Sequence, residues 1–270
     1  MRSGIFAALL WPALATAAGH PDLSGNWEGV TGSTSAVSYP TAAAPGGSIN
    51  AGMMSPELAA VALKQMQETG AGKAASALRG MQSQPQFRTP ELARRAEELW
   101  QNGSGSDAVV ACGQPGLPRI GAPLKIVQTA RELVFLYADV AGMAWRIVPT
   151  DGRGFRERLD PSYYGDSVGH WEGDTLVVDT TNFRRETHYR NSGERLHVVE
   201  RFTRTAPDTL RYRVTVEDPD TWAVPWTAEI PFKATTKQIF EYACHEGSRT
   251  IEYFMRGARD EERRGVKPVR

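Results

Sequence analysis

The chain has 270 residues, with 31 basic and 31 acidic side chains, so it carries no net charge that would attract a nucleic acid or an anionic membrane. Hydrophobic residues make up 41% of it, which excludes a disordered chain and is typical of a soluble globular protein. This length is enough to bury a full core within a single domain.

Residues 1–18 have the pattern of a signal peptide. Arg2 provides a positive n-region, Ile5 to Leu14 form an apolar h-region, and Ala15-Thr16-Ala17 is a small-x-small cleavage site. The apolar run is shorter than the roughly 20 residues that span a bilayer, which disfavours a membrane anchor. We therefore expect a periplasmic or secreted protein whose mature chain, 19–270, has no integral membrane segment.

The first predicted strand contains Gly25-Asn26-Trp27. A Gly-x-Trp at the start of a mature secreted chain resembles the lipocalin and calycin signature, in which the Trp plugs the closed end of a barrel. A Trp that only anchors an N-terminal strand fits the same residues, so both interpretations stay open.

A helical insert is predicted over about 55–101. Ser55-Pro56-Glu57 and Thr89-Pro90-Glu91 each place a capping hydroxyl before a proline at the first helical position and an acid in the first turn. We expect one helix from Pro56 to about Thr69, a further helical piece over Lys73 to Met81, and another helix from Pro90 to about Gln101.

From Leu124 onward nearly every segment has the pattern of a β-strand. Gly173-Asp174 is typical of a type II′ hairpin turn, and Ala206-Pro207-Asp208 indicates a second hairpin. About ten short, mostly antiparallel strands favour a barrel or a sandwich. The predicted strands, besides that of Trp27, are Lys125–Gln128, Leu133–Ala138, Ala144–Pro149, Ser167–Glu172, Thr175–Thr180, 195–205, 209–218, Trp226–Lys233, Gln238–Cys244 and Thr250–Met255. The charged tail, 256–270, is expected to fray into solvent.

Several of these segments together resemble a family of exported bacterial proteins associated with lipocalin-like β-barrels. The segments are CGQPGLPR, IVQT, RIVPTDGR, LDPSYYGDSVGHWEGDTLVVDT, LHVVERF, EDPDTWAVPW and EYACHEGSR. The resemblance covers about Cys112 to Arg249 and implies a mainly β fold, an antiparallel lipocalin-like barrel, and an exported location; it implies no particular activity. The helical insert is longer than expected for the family.

Cys112 and Cys244 are the two cysteines of the chain. An even number in an oxidising compartment favours a disulfide between them, with two buried free thiols as the alternative. Both cysteines also lie inside motifs of the resemblance, which a bridge would explain.

Strand alternation points one acid into the predicted barrel. Leu196, Val198, Glu200 and Phe202 share one face of their strand, so Glu200 has apolar neighbours and is a candidate general acid or base. The alternative is an internal ion pair, most simply with Arg146 or Arg249.

The other candidate catalytic residues would assist Glu200. Arg146 or Arg201 would stabilise developing negative charge, and His188 or His197 would be a second acid or base. Asp179 lies in an apolar run in the same way as Glu200 does. His188 belongs to the polar loop THYRNSGER, which could fold over a barrel mouth, although a surface histidine fits equally.

Aromatic side chains near strand ends are candidates for lining a ligand pocket, or for plugging the ends of a barrel. They are Tyr163, Tyr164, Trp145, Trp171, Tyr212 and Trp226.

Motifs for metals and cofactors are not found. The histidines lack HxH or HxxxH spacing, and the sequence has no GxSxG elbow, P-loop or dinucleotide-binding GxGxxG. The leading hypothesis is a cofactor-independent enzyme acting on a small apolar or aromatic molecule by acid/base chemistry of lyase, isomerase or hydrolase type. The alternatives are a non-catalytic periplasmic carrier and an envelope protein that binds a partner through the helical insert.

Overall fold

The computed structural model describes residues 19–29, 86–102, 115–139, 142–185, 192–240, 246 and 249–265. These residues contain nine β-strands and two α-helices. The strands are β1 (Gly25–Gly29), β2 (Lys125–Gln128), β3 (Glu132–Asp139), β4 (Gly142–Pro149), β5 (Asp166–Glu172), β6 (Thr175–Thr181), β7 (His197–Ala206), β8 (Thr209–Glu217) and β9 (Trp226–Ala234), and the helices are α1 (Pro90–Asn102) and α2 (Thr250–Arg263). The predicted signal peptide, the predicted helices over 55–81, both cysteines and His188 lie outside the described residues.

All nine strands belong to one sheet in the order β4-β3-β2-β1-β9-β8-β7-β6-β5, and every neighbouring pair is antiparallel. The two strands at the ends of this order, β4 and β5, lie against each other, because a Cβ on Gly169 would stand 2.9 Å from the Val148 Cγ1. The predicted β-barrel is therefore confirmed as a nearly closed antiparallel barrel.

The relative direction of the two strands that close this barrel follows from the number of strands. Eight antiparallel pairings separate β4 from β5, so these two strands run in the same direction. Lipocalin barrels have eight strands, an even number that makes the closing strands antiparallel. Here the odd number of strands makes β4 and β5 parallel where they meet, and we call this contact the seam. Among the described strands the seam has no backbone pairing.

Alternation along the strands builds the core, as predicted. In β8 every second side chain is buried, and β7 shows the same alternation as far as Phe202. The inward side chains are mostly large and apolar, so the barrel is filled by packed side chains. The largest fully buried ones are Trp27, Trp226, Tyr137, Tyr212, Phe135, Phe183, Phe202, Phe232, Leu23, Leu117 and Ile126.

The predicted turns and the cap of α1 are also confirmed. Gly173 has φ of 59°, as the first central residue of a type II′ turn requires, and it joins β5 to β6. β7 and β8 are joined through residues 207–208, with an irregularity in the register between Arg204 and Ala206. The Thr89 hydroxyl accepts the Leu92 amide hydrogen at 3.2 Å and caps α1.

One end of the barrel, where β5, β7 and β9 begin, is filled by residues 115–123. All of these except Arg119 are buried, and Leu117, Ile120 and Ala122 belong to the core. The Leu117 amide donates to the Tyr163 carbonyl at 3.0 Å, which fixes the segment beside the start of β5. We call this end of the barrel the plugged end.

Trp27 of the Gly-x-Trp pattern is buried near the opposite end. It is 2% exposed, its indole nitrogen donates to the Leu23 carbonyl at 3.0 Å, and the Arg204 guanidinium lies 5.7 Å from its ring centroid. Arg204 also donates to the carbonyls of Asp22 and Pro207. Trp27 therefore packs within the core, and Arg204 joins the N-terminal segment to the β7–β8 turn.

The predicted strand Thr250–Met255 is wrong, because these residues begin α2. The helix continues to Arg263, so the tail does not fray from residue 256 as expected. Apolar residues recur at three- and four-residue intervals in this segment, and ion pairs such as Arg256 with Glu252 and Arg264 with Asp260 support a helix at the same spacing. Residues 238–240 are not in a strand, and 241–244 lie outside the described residues.

Candidate functional site

Six polar side chains point into the barrel and meet there. They come one from each of β3 to β8 and are Tyr137, Arg146, Ser167, Thr180, Glu200 and Tyr212; we call them the barrel network. All six are at most 6% exposed. Buried polar groups in an apolar core are stable only when they satisfy one another, so this cluster is held by its own hydrogen bonds.

Arg146 is at the centre of the network. Its Nε donates to the Tyr137 hydroxyl at 3.0 Å, and its Nη1 lies 3.3 Å from Ser167 Oγ and 3.4 Å from Thr180 Oγ1. Its Nη2 donates to Glu200 Oε2 at 2.5 Å. The bond from Arg146 on β4 to Ser167 on β5 crosses the seam, so side chains hold together two strands that share no backbone hydrogen bond.

Glu200 is fully buried and both of its oxygens are used. Oε2 accepts from Arg146, and Oε1 accepts the Tyr212 hydroxyl at 3.1 Å. Glu200 is therefore in an internal ion pair, which was the alternative considered from the sequence, and its partner is Arg146. The other possible partner, Arg249, pairs instead with Glu252 on the exposed surface of α2.

The surroundings keep Arg146 charged and both phenols protonated. Burial alone lowers the pKa of Arg146, but the negative charge of Glu200 opposes this and the pKa lies above its ordinary value. Burial raises the pKa of Tyr137 and of Tyr212, and the charge of Glu200 adds to the increase at both. The Tyr212 hydroxyl donates to Glu200, whereas the Tyr137 hydroxyl accepts from Arg146 and keeps its own hydrogen, so Tyr137 is the phenol that can donate to a bound group.

Three of the predicted catalytic residues lie on the outside of the barrel. The Nε2 of His197 lies 2.7 Å from the Asp179 carboxylate, and both side chains are about one-third exposed. Arg201 pairs with Glu172 at 2.5 Å on the same outer surface. The barrel wall separates all of these from Glu200, so they do not form one site with it.

The chain directly after the predicted His188 loop is anchored beside the plugged end. Residues 186–191 lie outside the described residues, but the chain that follows them is held by Asp218. This buried carboxylate accepts the Gly193 amide hydrogen and the Thr221 hydroxyl, each at 3.1 Å. The motif EDPDTW thus has a structural role in fixing this end of the barrel.

Several of the aromatic residues predicted to bind a ligand are far from one another. Trp226 is fully buried in the core, whereas Trp145 points outward and is 64% exposed. Trp171 stacks on His20, with ring centroids 4.7 Å apart, and lies next to the β5–β6 turn, away from the plugged end. These residues do not line a common pocket; of the predicted set, Tyr212 alone belongs to the barrel network.

Tyr163 and Tyr164 lie together at the plugged end and are half-buried. The Tyr164 ring lies 6.4 Å from the Tyr137 ring at an interplanar angle of 26°, and the Arg184 guanidinium lies 5.0 Å from the centroid of Tyr163. The Tyr164 ring therefore connects the half-buried surface with the barrel network, whereas Tyr163 packs with Arg184.

The sequence interpretation did not select Tyr137, Ser167 and Thr180. Alternation could have found the last two, because each is a hydroxyl residue on an inward strand face that otherwise carries no polar side chain. They face each other in the register, with their hydroxyl oxygens 3.0 Å apart. Tyr137 is apolar over most of its ring and gave no comparable signal.

Among the residues that the structure describes, no group of three or more His, Cys, Asp or Glu side chains is placed to hold a metal ion. None of the described helices is both long enough and apolar enough to cross a membrane. In comparisons with known proteins, no protein-family model, no curated protein and no solved structure matches the chain.

Proposed function

We propose that the protein is an exported β-barrel that binds a small apolar or aromatic molecule on the half-buried surface around Tyr164 at the plugged end, next to the barrel network. The observation that carries this proposal is the convergence of six buried polar side chains from six strands inside an otherwise apolar barrel. Small-molecule sites have this composition, with apolar walls and a few placed polar groups that orient the ligand.

The half-buried rings of Tyr163 and Tyr164 mark where a ligand would enter. An aromatic molecule that packs against Tyr164 would approach Tyr137, whose hydroxyl belongs to the network. Stacked aromatic pairs contribute about 0.5 to 1.5 kcal/mol beyond their buried area, so this surface favours a flat ring over an aliphatic chain.

The export part of the proposal rests on the sequence of residues 1–18 and on the resemblance of the central motifs. A disulfide between Cys112 and Cys244 belongs to the same proposal, because an exported protein folds in an oxidising compartment.

Tyr164→Ala is predicted to weaken binding of the neutral fluorescent probe N-phenyl-1-naphthylamine by roughly three- to tenfold, because it removes the stacking ring. Probe fluorescence measured against protein concentration gives the dissociation constant. Tyr253→Ala is the matched control, since this tyrosine is 56% exposed on α2. Equal weakening by both substitutions, or no binding by the unmodified protein, would contradict the proposal.

Binding without turnover is favoured over catalysis, because both Glu200 oxygens are held in a closed arrangement. Acid/base catalysis of lyase, isomerase or hydrolase type is the second candidate. It is supported by the contact between the Glu200 carboxylate and the protonated Tyr212 phenol, two titratable groups within hydrogen-bond distance. In that case Glu200 transfers the proton and Arg146 stabilises developing negative charge.

A screen of small aromatic substrates, run with Glu200→Gln beside the unmodified protein, decides between these two candidates. Glutamine keeps the shape and can still accept the Tyr212 hydrogen bond, but it cannot take up a proton. If Glu200 is the catalytic base, turnover falls by about 100-fold or more while probe binding is retained. Turnover that survives Glu200→Gln would refute the catalytic assignment.

A further inference from the structure

Cleavage of the predicted signal peptide creates an amino terminus with a histidine as its third residue. A signal peptidase cuts directly after a small-x-small triplet, and the residues that follow Ala15-Thr16-Ala17 are Ala18-Gly19-His20. This start is one residue before the expected start at Gly19. In the precursor the same three residues are internal and have no terminal amine.

The first three residues of such a chain offer a planar set of nitrogen ligands. These are the Ala18 amine, the backbone amides of Gly19 and His20, and the His20 imidazole. Because they follow one another along the chain, they close fused chelate rings around a single ion. A planar set of nitrogen ligands suits Cu(II) and Ni(II), and a given site generally binds Cu(II) more tightly than Ni(II) or Zn(II).

The neighbouring residues limit the chelate to these three. Pro21 has no backbone N–H, so the next amide of the chain cannot replace the imidazole as a ligand. Gly19 has no side chain to crowd the plane, is exposed, and lies with His20 in a bend of the backbone. The sequence around His20 therefore favours coordination that ends at the imidazole.

The barrel holds the chain directly after this terminus in a defined place. The Gln128 side chain accepts the Leu23 amide hydrogen at 2.8 Å and donates to the Pro21 carbonyl at 3.1 Å. The Ser24 hydroxyl accepts the Gln128 amide hydrogen at 3.1 Å. Residues 21–24 are thus fixed to the end of β2, and this fixes the position of His20 on the barrel.

His20 is stacked on Trp171 of β5. Their ring centroids are 4.7 Å apart and the rings are inclined by only 3°. Stacking uses the face of an imidazole, whereas a metal binds in the plane of the ring at a nitrogen, so the two contacts are compatible. An ion bound to His20 therefore lies close to an indole, which can report on it.

We propose that the exported chain binds one Cu(II) ion through the Ala18 amine, the amides of Gly19 and His20, and the His20 imidazole. Binding releases the extra proton of the terminal ammonium group and the two amide protons to solvent. Three of the four ligands are backbone nitrogens, so the site needs no cluster of acidic, histidine or cysteine side chains. It rests on the export part of the proposed function and is independent of ligand binding at the plugged end.

The protein exported with its own leader and purified from the periplasm tests this proposal. Its intact mass shows whether the chain begins at Ala18. Titration with Cu(II) chloride should give the visible absorption band of square-planar, nitrogen-bound Cu(II), complete at one equivalent, and should quench tryptophan fluorescence. Trp171→Phe should lose most of the quenching and keep the absorption band. The uncleaved precursor, in which the Ala18 nitrogen is an amide, should give neither signal.

His20→Ala removes a ligand and should weaken Cu(II) binding by more than the roughly 10- to 100-fold that loss of an outer-shell partner costs. His170→Ala is the matched control, because this histidine is exposed on the same strand as Trp171, and its loss should leave the affinity unchanged. Zn(II), which prefers tetrahedral sites, should not compete at equal concentration.

The possible failures are distinguishable. A leader that is not removed overturns the export proposal together with this one. A chain that begins at Gly19 or later leaves export intact and overturns only the copper site. A chain that begins at Ala18 but binds no Cu(II), or binds it equally well as His20→Ala, refutes the coordination itself.

Discussion

Arg146→Met is expected to lower the free energy of unfolding by about 3 to 5 kcal/mol, the range measured when one partner of a buried ion pair is removed. Glu200 has no exposed surface and would lose the guanidinium that compensates its charge. Ser167 and Thr180 would lose a donor at the same time. The lost Arg146 contacts include the one that joins β4 to β5 at the seam, where side chains connect the strands in place of backbone pairing.

A double-mutant cycle separates this pair from general loss of packing. Arg146→Met/Glu200→Gln removes both charges while glutamine still accepts from Tyr212, so the double variant should be more stable than Arg146→Met alone. Denaturant unfolding gives the four free energies. Arg201→Met is the matched control: its ion pair with Glu172 is solvent-exposed and should contribute only about 0 to 1 kcal/mol. Equal losses for Arg146→Met and Arg201→Met would contradict the buried role of Arg146.

Gly165→Ala is the second substitution with a large expected effect, a loss of about 3 kcal/mol. Gly165 has φ of 66°, and an alanine there costs roughly 1 to 2 kcal/mol in backbone conformation. Its Cβ would also stand 2.3 Å from the Thr181 carbonyl oxygen and 2.9 Å from Thr180 Cγ2, and relieving such an overlap costs about 1 to 3 kcal/mol more. The overlap lies beside the start of β5, so Ser167 and Thr180 would shift with it.

Gly173→Ala isolates the conformational part of that loss. Gly173 also has a positive φ, 59°, but a Cβ there would meet no atom within 4 Å. We therefore expect Gly173→Ala to cost roughly 1 to 2 kcal/mol, clearly less than Gly165→Ala, in thermal or denaturant unfolding of both variants. If the two substitutions cost the same, the close approach of β5 to β6 at Gly165 is not the source of the loss.

The barrel network links stability with the proposed binding. Arg146 crosses the seam to Ser167 and is held by Glu200, and the same guanidinium binds Tyr137, the network residue next to the proposed ligand position. A molecule that binds only the folded barrel stabilises it by mass action, by about 2.7 kcal/mol at a concentration one hundred times its dissociation constant. Thermal stabilisation by the naphthylamine probe is thus a second measure of binding.

Much of the fold could be predicted from local sequence. Alternation identified β7 and β8 and their faces, and turn chemistry identified Gly173 as the corner between β5 and β6. The capping pattern at Thr89-Pro90-Glu91 located the start of α1. Prediction failed at Thr250–Met255, where a short apolar run suited a strand and a helix equally and the ion pairs with the following turns decided for a helix.

The candidate site was predicted only in part. Alternation placed Glu200 inside the barrel, and of the two ion-pair partners considered, Arg146 and Arg249, the structure brings Arg146 to it. The same alternation puts His197 and Arg201 on the opposite face of β7 from Glu200, and the structure keeps them outside. They were grouped with Glu200 because of their residue types and because they are close to it in sequence. Neighbouring residues of a strand, however, lie on opposite sides of the barrel wall.

The sequence by itself thus determined most of the strands and the inward positions of β7 and β8, because side-chain direction in a strand repeats every two residues and is a local property. The tertiary structure decided which inward side chains meet. Tyr137, Arg146 and Glu200 lie on three different strands, and their contact depends on the order of nine strands and on the closure of β4 against β5. That closure is set by packing of the whole barrel, so no local pattern could specify the network inside it.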